Sequence, residues 1–379
     1  MDFELDEAHR EIQRMVRQFC EEEVKPHARR WDEAGTFPRE VVAKLGELGV
    51  MGISVPEEYG GAGMDSLAVA VAVEEVAKVD GSLALTVASH NGLGSSQIRY
   101  FGSEVQKRRW LVPLARGEKL AAWGLTEAGS GSDAAAMRTA AVRKGDGWVL
   151  NGSKMFITQG TVGDVFVVLA RTDPAKAQKG ITAFVLEKGM KGFSQRAIHG
   201  KLGMRSSDTA ELVMEDVVVP DENRIGETNQ GFANTLSILD RGRITIGALA
   251  VGLGQGALEA ARDYAKERQA FGKAIAEFQA IAFMLADMAT EIAAARLLVH
   301  RAAALADAGK RFGQEASMGK LFASEAAMRA TTKAIQIHGG YGYTREFPVE
   351  RHFRDAKLCE IGEGTSEVQR LVIARSILR

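Results

Sequence analysis

The sequence has little cysteine and no excess of charge of either sign. Cys20 and Cys359 are the only cysteines among 379 residues, too few for a disulfide framework or a cysteine-ligated metal cluster. The formal net charge is −1 and the pI about 6.7. Broad nucleic-acid binding needs a basic surface, so we expect no nucleic-acid partner.

The sequence also lacks a long uninterrupted hydrophobic run. The N-terminus is acidic and amphipathic, without the basic region and apolar core of a signal peptide. The most apolar segment, residues 244–258, is short for a membrane span and rich in glycine and alanine. We therefore expect no membrane insertion, a cytoplasmic location, and a helical bundle built around this segment.

The chain is long enough for several domains, because a single core usually stops growing before 379 residues. Helical periodicity dominates at first, short β-branched runs separated by Asn-Gly and Asp-Gly turn signals follow, and long alanine-rich helical segments end the chain. The predicted strands include 165–170, 181–186 and 211–219, and the predicted long helices are 247–266, 276–308 and 314–337. We predict an α+β multidomain fold with a helical N-terminal domain (1–120), a middle β-barrel or β-sandwich domain (121–231) and a C-terminal four-helix bundle (232–379).

The segment around Glu363 combines a carboxylate with glycines and a helix start. Gly362 and Gly364 flank Glu363 and allow the backbone to approach a ligand closely. Ser366 and Gln369 have the spacing of a capping box at the start of the last helix. A carboxylate beside free amide donors suits the removal of a proton next to a carbonyl group. A simple helix cap with a favourable acid is the alternative, and this segment alone slightly favours it.

Two segments of the middle region contain groups that suit a flat, phosphate-bearing ligand. Residues 123–133 combine glycines and hydroxyls that can face a phosphate or a heterocycle. Phe156 and Thr158 lie two residues apart on a predicted strand and therefore share a face, where they could cover a ring and bond its edge. A structural turn and ordinary core packing are the alternatives, and composition alone favours them.

Two segments of the last region could bind the other end of such a ligand. Arg268 and Phe271, between two helices, pair a guanidinium with an aromatic ring, as a pyrophosphate and an adenine require. Gly339 and Gly340 end a helix and could admit a phosphate chain against the backbone. A solvated helix end and an ordinary helix stop are the alternatives.

Taken in order, these segments resemble the acyl-CoA dehydrogenase family, nearest its short-chain and branched-chain members. The resemblance covers essentially the whole chain. It rests on Leu125-Thr126-Glu127, Gly131-Ser132-Asp133, Phe156-Ile157-Thr158, residues 201–209, residues 239–243, Arg268 with Phe271-Gly272, residues 336–342 and residues 363–366.

The resemblance implies an FAD-dependent homotetramer that converts acyl-CoA thioesters to trans-2-enoyl-CoA and passes electrons to an electron-transfer flavoprotein. The implied substrates have short- to medium-chain or branched acyl groups, from fatty-acid or branched-chain amino-acid catabolism. Glu363 would be the catalytic base, taking the α-proton as hydride passes to flavin N5. Some members carry the base at the position matched here by Gly242, which has no side chain. Gly362 stands where straight-chain members often have a tyrosine.

The same resemblance assigns the binding residues. FAD would be bound by Trp123, Leu125, Thr126, Gly131, Ser132, Phe156, Ile157, Thr158, Arg268, Phe271, Gln279, Gln336, Gly339, Gly340, Thr365 and Glu367. Thr126 would bond the pyrimidine side of the flavin and Thr158 the N5 region, while residues 336–340 would act across a subunit contact. The acyl-CoA substrate would be bound by Ser132, Asp240, Arg243 and Gly364. The resemblance leaves open an oxidase or monooxygenase on the same fold, and less favourably a non-catalytic nucleic-acid-binding relative.

Overall fold

Helices fill the first third of the protein in the computed structural model, which describes residues 4–378. They are α1 (Glu7–Phe19), α2 (Ala28–Ala34), α3 (Arg39–Glu47), α4 (Ser66–Val79), α5 (Gly81–Ser89), α6 (Ser96–Phe101), α7 (Glu104–Gln106) and α8 (Val112–Ala115). Asp65 begins α4, because its side chain accepts a hydrogen bond from the backbone N–H of Ala68. Helix α5 is buried along its whole length and continues into a buried π-helical turn, His90–Ser95. Such π-helical turns often occur at functional sites.

Eight strands form the middle of the chain. They are β1 (Ala121–Gly124), β2 (Ala140–Lys144), β3 (Gly147–Thr158), β4 (Val165–Arg171), β5 (Ile181–Glu187), β6 (Phe193–Ala197), β7 (Thr209–Pro220) and β8 (Arg224–Ile225). The order in the sheet is β6-β7-β3-β2-β4-β5-β8, and β1 pairs with β4 in parallel. The three predicted strands are confirmed.

The sheet is open, because the path of paired strands ends at β6 and at β8 and these two strands do not pair with each other. Strands β2 and β4 meet at a single residue pair, which divides the sheet into two halves. Aromatic side chains from both halves, including Trp148, Phe166 and Phe184, pack in one core between them. The opposite face of β1, β4 and β5 packs against Trp110 and Leu111 of the N-terminal region. Of the two architectures expected, the sandwich describes this packing.

Long helices form the last part of the chain. They are α9 (Gly231–Glu267), α10 (Gln279–Asp307), α11 (Gly313–His338), α12 (Val349–Ile361) and α13 (Ser366–Ile377), with a small hairpin of β9 (Gln269–Ala270) and β10 (Lys273–Ala274) after α9. Helices α9 to α12 pack together as the predicted four-helix bundle. Helix α9 begins at Gly231, whereas the predicted helix began at residue 247. The prediction missed the first turns because polar residues interrupt the apolar pattern there.

Helix α9 lies at the centre of this bundle. Among residues 4–378 it is the one helix long and apolar enough to cross a membrane by length and composition, yet 78% of that apolar window is buried inside the structure. Glycines let its neighbours approach closely. A Cβ at Gly252 would lie 2.3 Å from the carbonyl oxygen of Glu74 on α4. Helix α9 is therefore a core helix.

Candidate active site

Glu363 lies in the turn between α12 and α13, in a backbone conformation that few residues adopt. Its φ is +52°, in the left-handed region, and Gly364 follows with a φ of +94°. Gly362 has an extended backbone. The conformational freedom of glycine is therefore used at Gly364 alone, and the strained residue is Glu363 itself. A side chain held in a sparsely populated conformation is typical of functional sites.

The start of α13 differs from the predicted capping box. Thr365, not Ser366, is the N-cap, because its Oγ1 accepts a hydrogen bond from the backbone N–H of Val368 at 3.3 Å. Gln369 does not bond the backbone N–H of Ser366. Its Nε2 donates to the carbonyl oxygens of Glu363, at 3.2 Å, and Gly364, at 2.9 Å. Gln369 thus fastens the turn that holds Glu363.

The carboxylate of Glu363 points into the protein. Its Oε2 is buried and has no hydrogen-bond partner among the described residues. It lies directly over Gly242 of α9, where an added Cβ would come within 1.9 Å of Oε2. Burial raises the pKa of Glu363 to about 7, although Lys320 and Arg243 oppose the shift. A carboxylate with a pKa near neutrality can act as a general base at physiological pH.

Lys320 was missed by the sequence argument. This α11 side chain is completely buried, and its Nζ donates a hydrogen bond to the carbonyl oxygen of Gly364 at 2.7 Å. A signal was present in the sequence, since Ala316, Lys320, Ala323 and Ala327 share the buried face of α11 at helical spacing. The sequence alone could not show what lies opposite that face.

Asp240 and Arg243 lie on the same helix as Gly242. Arg243 is buried, and its Nη1 donates hydrogen bonds to Asp240 and, at 3.4 Å, to Oγ of Ser317. Burial lowers the pKa of Arg243 and raises the pKa of Asp240. These two predicted substrate-binding residues therefore lie next to the helix position that faces the Glu363 carboxylate.

The end of β1 and a bulge in β3 bring the predicted flavin-binding segments together. The backbone N–H of Met155 donates to the carbonyl oxygen of Thr126 at 2.8 Å. The register of β3 against β7 shifts between Lys154 and Ile157. Phe156 lies in this bulge with a φ of +62° and is 66% exposed. The regular alternation used in the prediction therefore does not hold at Phe156.

The neighbouring predicted residues divide into buried and accessible ones. Trp123, Leu125 and Ile157 are buried, whereas Thr126 and Thr158 are partly exposed and Gly131 and Ser132 are exposed. Phe156 and Thr158 thus remain accessible together, with Ile157 buried between them. The accessible members are the ones that could touch a ligand.

A buried ion pair supports this loop from beneath, and the sequence argument missed it. Lys154 of β3 is completely buried, and its Nζ donates to the carbonyl oxygen of Leu125 at 3.1 Å and to Glu127 at 2.8 Å. Glu127 also accepts the backbone N–H groups of Arg138 and Thr139. Lys154 and Glu127 therefore fix the shape of the loop that begins at Leu125.

Leu93 connects the flavin-binding segments with Glu363. It lies in the buried π-helical turn and packs in one apolar cluster with Trp123 and Leu125. Its Cδ2 would be 3.0 Å from a Cβ at Gly242, the position that also touches the Glu363 carboxylate. Leu93 therefore packs both with the predicted flavin segments and beside the helix position that faces Glu363.

Three further predicted residues, Arg268, Gly339 and Gly340, lie together in a second cluster at the far end of α9. A cavity of about 560 Å³ is lined by Arg268, Gly339, Gly340, Tyr264 and Tyr341, among others. The Arg268 guanidinium lies 5.9 Å from the centre of the Tyr341 ring. A Cβ at Gly339 or Gly340 would meet no atom within 4 Å, so the backbone here is open to a ligand.

Other predicted residues near this second cluster are accessible. Phe271 is 96% exposed and has a φ of +52°. Gln279 begins α10 and Gln336 lies in the last turn of α11, and both are exposed. Glu367 is also exposed, but it lies in the first turn of α13, beside Thr365 and the Glu363 turn.

The two clusters lie far apart within one chain. Arg243 and Arg268 are separated by 25 residues along α9 and its C-cap. At 1.5 Å per residue the helix places them about 37 Å apart. One ligand molecule cannot easily reach both clusters of the same chain.

Helix α12, which leads to Glu363, is fastened by the segment 201–209. The carboxylate of Asp355 accepts a hydrogen bond from the backbone N–H of Met204, and Gly203 packs against the backbone of Arg354. Asp355 is buried beside Asp80, and burial raises its pKa to about 7. Segment 201–209 therefore has a structural role, because it connects the β region to α12, the helix before Glu363.

Three family profiles match nearly the whole length of the chain. The profile for "Acyl-CoA dehydrogenase, N-terminal domain" matches residues 6–118, that for the middle domain 122–217, and that for the C-terminal domain 229–378. The short-chain specific acyl-CoA dehydrogenase of Clostridium acetobutylicum is 51% identical over 379 residues, covering 100% of both chains. The caffeyl-CoA reductase-Etf complex subunit CarC of Acetobacterium woodii is 44% identical, over 98% of this chain and 99% of the relative.

Solved structures show the same similarity. The butyryl-CoA dehydrogenase of Megasphaera elsdenii superposes with a TM-score of 0.98 at 44% identity, over 100% of both chains. A chain from a study of the electron transferring flavoprotein of Acidaminococcus fermentans gives 0.99 at 48%, again over 100% of both. The glutaryl-CoA dehydrogenase of Mycobacterium smegmatis in complex with FADH2 gives 0.94 at 34%, over 98% of this chain and 95% of that one.

Proposed function

This chain belongs to the acyl-CoA dehydrogenase family, and we propose that it oxidises short-chain acyl-CoA thioesters with Glu363 as base and FAD as acceptor. The observation that carries the proposal is the buried Oε2 of Glu363, which has no hydrogen-bond partner in the part of the chain that the structure describes and lies over Gly242. Nothing in the described protein uses this oxygen, so it is available to a substrate. The reaction breaks the α C–H bond as a proton and the β C–H bond as a hydride, leaving a carbon–carbon double bond.

Glu363 would take the α-proton, and its surroundings suit that step. The carboxylate has a pKa raised to about 7, so it is a stronger base than an exposed glutamate, and about half of it is ionised at neutral pH. The left-handed backbone of Glu363 and the hydrogen bonds from Gln369 and Lys320 to the carbonyl oxygens of Glu363 and Gly364 hold the turn that carries the carboxylate. The backbone N–H of Glu363 would hold the thioester oxygen as negative charge develops there.

The residues of the two clusters fit FAD. Phe156 and Phe271 are large apolar rings left in solvent on strained backbone, an arrangement that a bound aromatic ligand would explain. Arg268, with open glycine backbone opposite it, suits a pyrophosphate. FAD bound here would supply the acceptor for the hydride leaving the β-carbon. Thr126 and Thr158 would orient the flavin edge through their hydroxyls.

We infer that the cofactor is shared between copies of the chain, as in a homotetramer. Within one chain about 37 Å of helix separates Arg243 from Arg268. The Arg268 cluster of one copy would therefore complete the site of a neighbour, while its own Glu363 serves a second cofactor. This arrangement also explains why Phe271 is almost fully exposed in the isolated chain.

The choice of a short acyl group rests on the relatives and on the wall beside the base. Proteins described as short-chain specific or as butyryl-CoA dehydrogenase are 44–51% identical over full length. In this chain Leu93 lies directly beside Gly242 and the carboxylate. We further propose that an electron-transfer flavoprotein receives the electrons, since neighbours at 44% and 48% identity are described together with such proteins.

The test is an anaerobic absorption titration of the purified protein with butyryl-, isobutyryl-, isovaleryl- and octanoyl-CoA. We expect bound flavin to bleach most readily with butyryl-CoA. Glu363→Gln should retain the flavin and lose bleaching. A matched control is Glu325→Gln, because Glu325 only pairs with Arg370 at the surface. A Glu363→Gln variant that kept most of the activity would refute the assignment. A slow reaction of the reduced wild-type protein with oxygen would distinguish a dehydrogenase from an oxidase.

A further inference from the structure

Lys320 is a charged group buried beside the proposed base, and no carboxylate among residues 4–378 lies within hydrogen-bonding distance of its Nζ. The side chain has no exposed surface, and its recorded hydrogen bond goes to a neutral acceptor, the carbonyl oxygen of Gly364, at 2.7 Å. Burying an ammonium group without a directly bonded carboxylate is costly. Buried charged groups of this kind are concentrated at functional sites, where the charge has a role.

The hydrogen bond alone does not explain a lysine at this position. The amide of Gln369 already donates to the carbonyl oxygens of both Glu363 and Gly364. A neutral side chain could therefore hold the turn. What Lys320 adds is a positive charge next to the residue that carries the carboxylate.

Charged groups from every neighbouring element surround this position. Lys320 on α11 interacts electrostatically with Arg243 of α9, Cys359 and Glu360 of α12, Glu363 of the turn and Glu367 of α13. Asp240 lies farther along α9 and is paired with Arg243. Cys359 is buried and burial raises its thiol pKa to about 12, so it is uncharged. Glu360 pairs with Lys357 at 2.6 Å. Lys320 and Arg243 are therefore the two cations that act on Glu363.

We propose that Lys320 is a positioning residue of the active site, which fixes the carbonyl of Gly364 and supplies a positive charge that favours the ionised form of the Glu363 carboxylate. The proposal rests on the proposed role of Glu363 as base. Consistent with it, Lys320 opposes the burial that raises the pKa of Glu363, and burial lowers the pKa of Lys320 itself to about 8. The charge that sustains the base is thus itself lost in moderately alkaline solution.

Three variants separate the effect of the Lys320 charge from the effect of the hydrogen bonds that hold the turn. Lys320→Gln keeps a donor for the Gly364 carbonyl and removes the charge, whereas Lys320→Arg keeps the charge. Gln369→Met removes the other donor to the same turn and leaves the charge untouched. Each would be purified with FAD, and the rate of flavin reduction by butyryl-CoA would be measured against pH in an anaerobic stopped-flow instrument.

A second readout does not depend on turnover. The infrared band of the protonated Glu363 carboxyl group, identified by its absence in Glu363→Gln, would be titrated in each protein without substrate. In Lys320→Gln both the kinetic and the infrared pKa should rise by on the order of one pH unit, because a nearby opposite charge is removed. Lys320→Arg should retain the wild-type pKa, and Gln369→Met should lower the rate without moving the pKa.

The outcomes distinguish this inference from the proposed function. If the wild type is not reduced by any acyl-CoA at any pH, the function fails. If the wild type is reduced and Lys320→Gln shows a lower rate with an unchanged pKa, only the charge role of Lys320 is overturned. Should Lys320→Gln not bind FAD, the infrared titration decides, because an unchanged Glu363 pKa in FAD-free Lys320→Gln, measured against FAD-free wild type, also overturns the proposal.

Discussion

Replacing Gly242 by alanine should impair catalysis without impairing the fold. A Cβ at this position would lie 1.9 Å from Oε2 of Glu363 and 2.8 Å from its Cδ, whereas ordinary contacts begin at 3.4 Å. The carboxylate must therefore move by about 1.5 Å, the difference between 3.4 and 1.9 Å. Since a displacement of 1 Å can cost about 100-fold in rate, we expect flavin reduction by butyryl-CoA to fall on the order of 100-fold.

The free energy of unfolding should not fall. The clashing atom is the end of a flexible side chain, which can rotate away, and alanine is favoured over glycine in a helix interior by about 1 kcal/mol. Gly254→Ala, in the same helix, is the matched control. Its Cβ would approach Ile292 of α10 at 3.3 Å and does not touch Glu363. It makes the same change in helix propensity and should leave the rate unchanged.

The assay combines anaerobic stopped-flow measurement of flavin reduction with urea unfolding and the FAD content of each variant. A Gly242→Ala protein that reduces its flavin at the wild-type rate would show that the observed position of the carboxylate is not its reacting position. Loss of FAD or of stability in Gly242→Ala, but not in Gly254→Ala, would show that the side chain cannot rotate away.

Two further predictions concern proton linkage and subunit sharing. Burial raises the pKa of Asp355 from 3.8 to about 7, so the native protein keeps a proton that the unfolded chain releases, and its stability falls as the pH rises through this range. Asp355→Asn has no such proton, so its free energy of unfolding should not fall in this way. Measured by urea unfolding, the free energy of the variant minus that of the wild type should be larger at about pH 8 than at about pH 5, by on the order of 2 kcal/mol. An equal difference at both pH values would contradict this. Arg268→Ala and Glu363→Gln chains should each be inactive, and their co-expression should restore roughly a quarter of the activity if neighbouring copies share each cofactor. If co-expression restored no activity, Arg268 and Glu363 would serve the site of the same chain.

Local pattern was sufficient for the order of the elements and for the places where the chain turns. The short β-branched runs of β4, β5 and β7 and the helical spacing of α10 and α11 are properties of neighbouring residues. The break at Arg268 and the helix stop at Gly339 follow from local backbone preferences in the same way. These features needed no knowledge of distant contacts.

Local pattern was insufficient where backbone geometry and burial depend on partners. The cap at Thr365 and the left-handed φ of Phe156 and Glu363 depend on side chains and strands that the segment meets in the fold. Lys154 and Lys320 have the sequence appearance of surface residues but lie on buried faces. A lysine on an apolar face can be interpreted only when its acceptor is known.

The sequence by itself determined the fold class and the resemblance to the family, and it singled out Glu363 as the proposed base, because these depend on periodicity, turn residues and the order of segments. Only the tertiary structure decided what surrounds that glutamate. It brought Gly242, Leu93 and Lys320 from three separate elements against one turn. The pKa and position of Glu363 follow from that packing, since burial and neighbouring charge act through space and not along the chain.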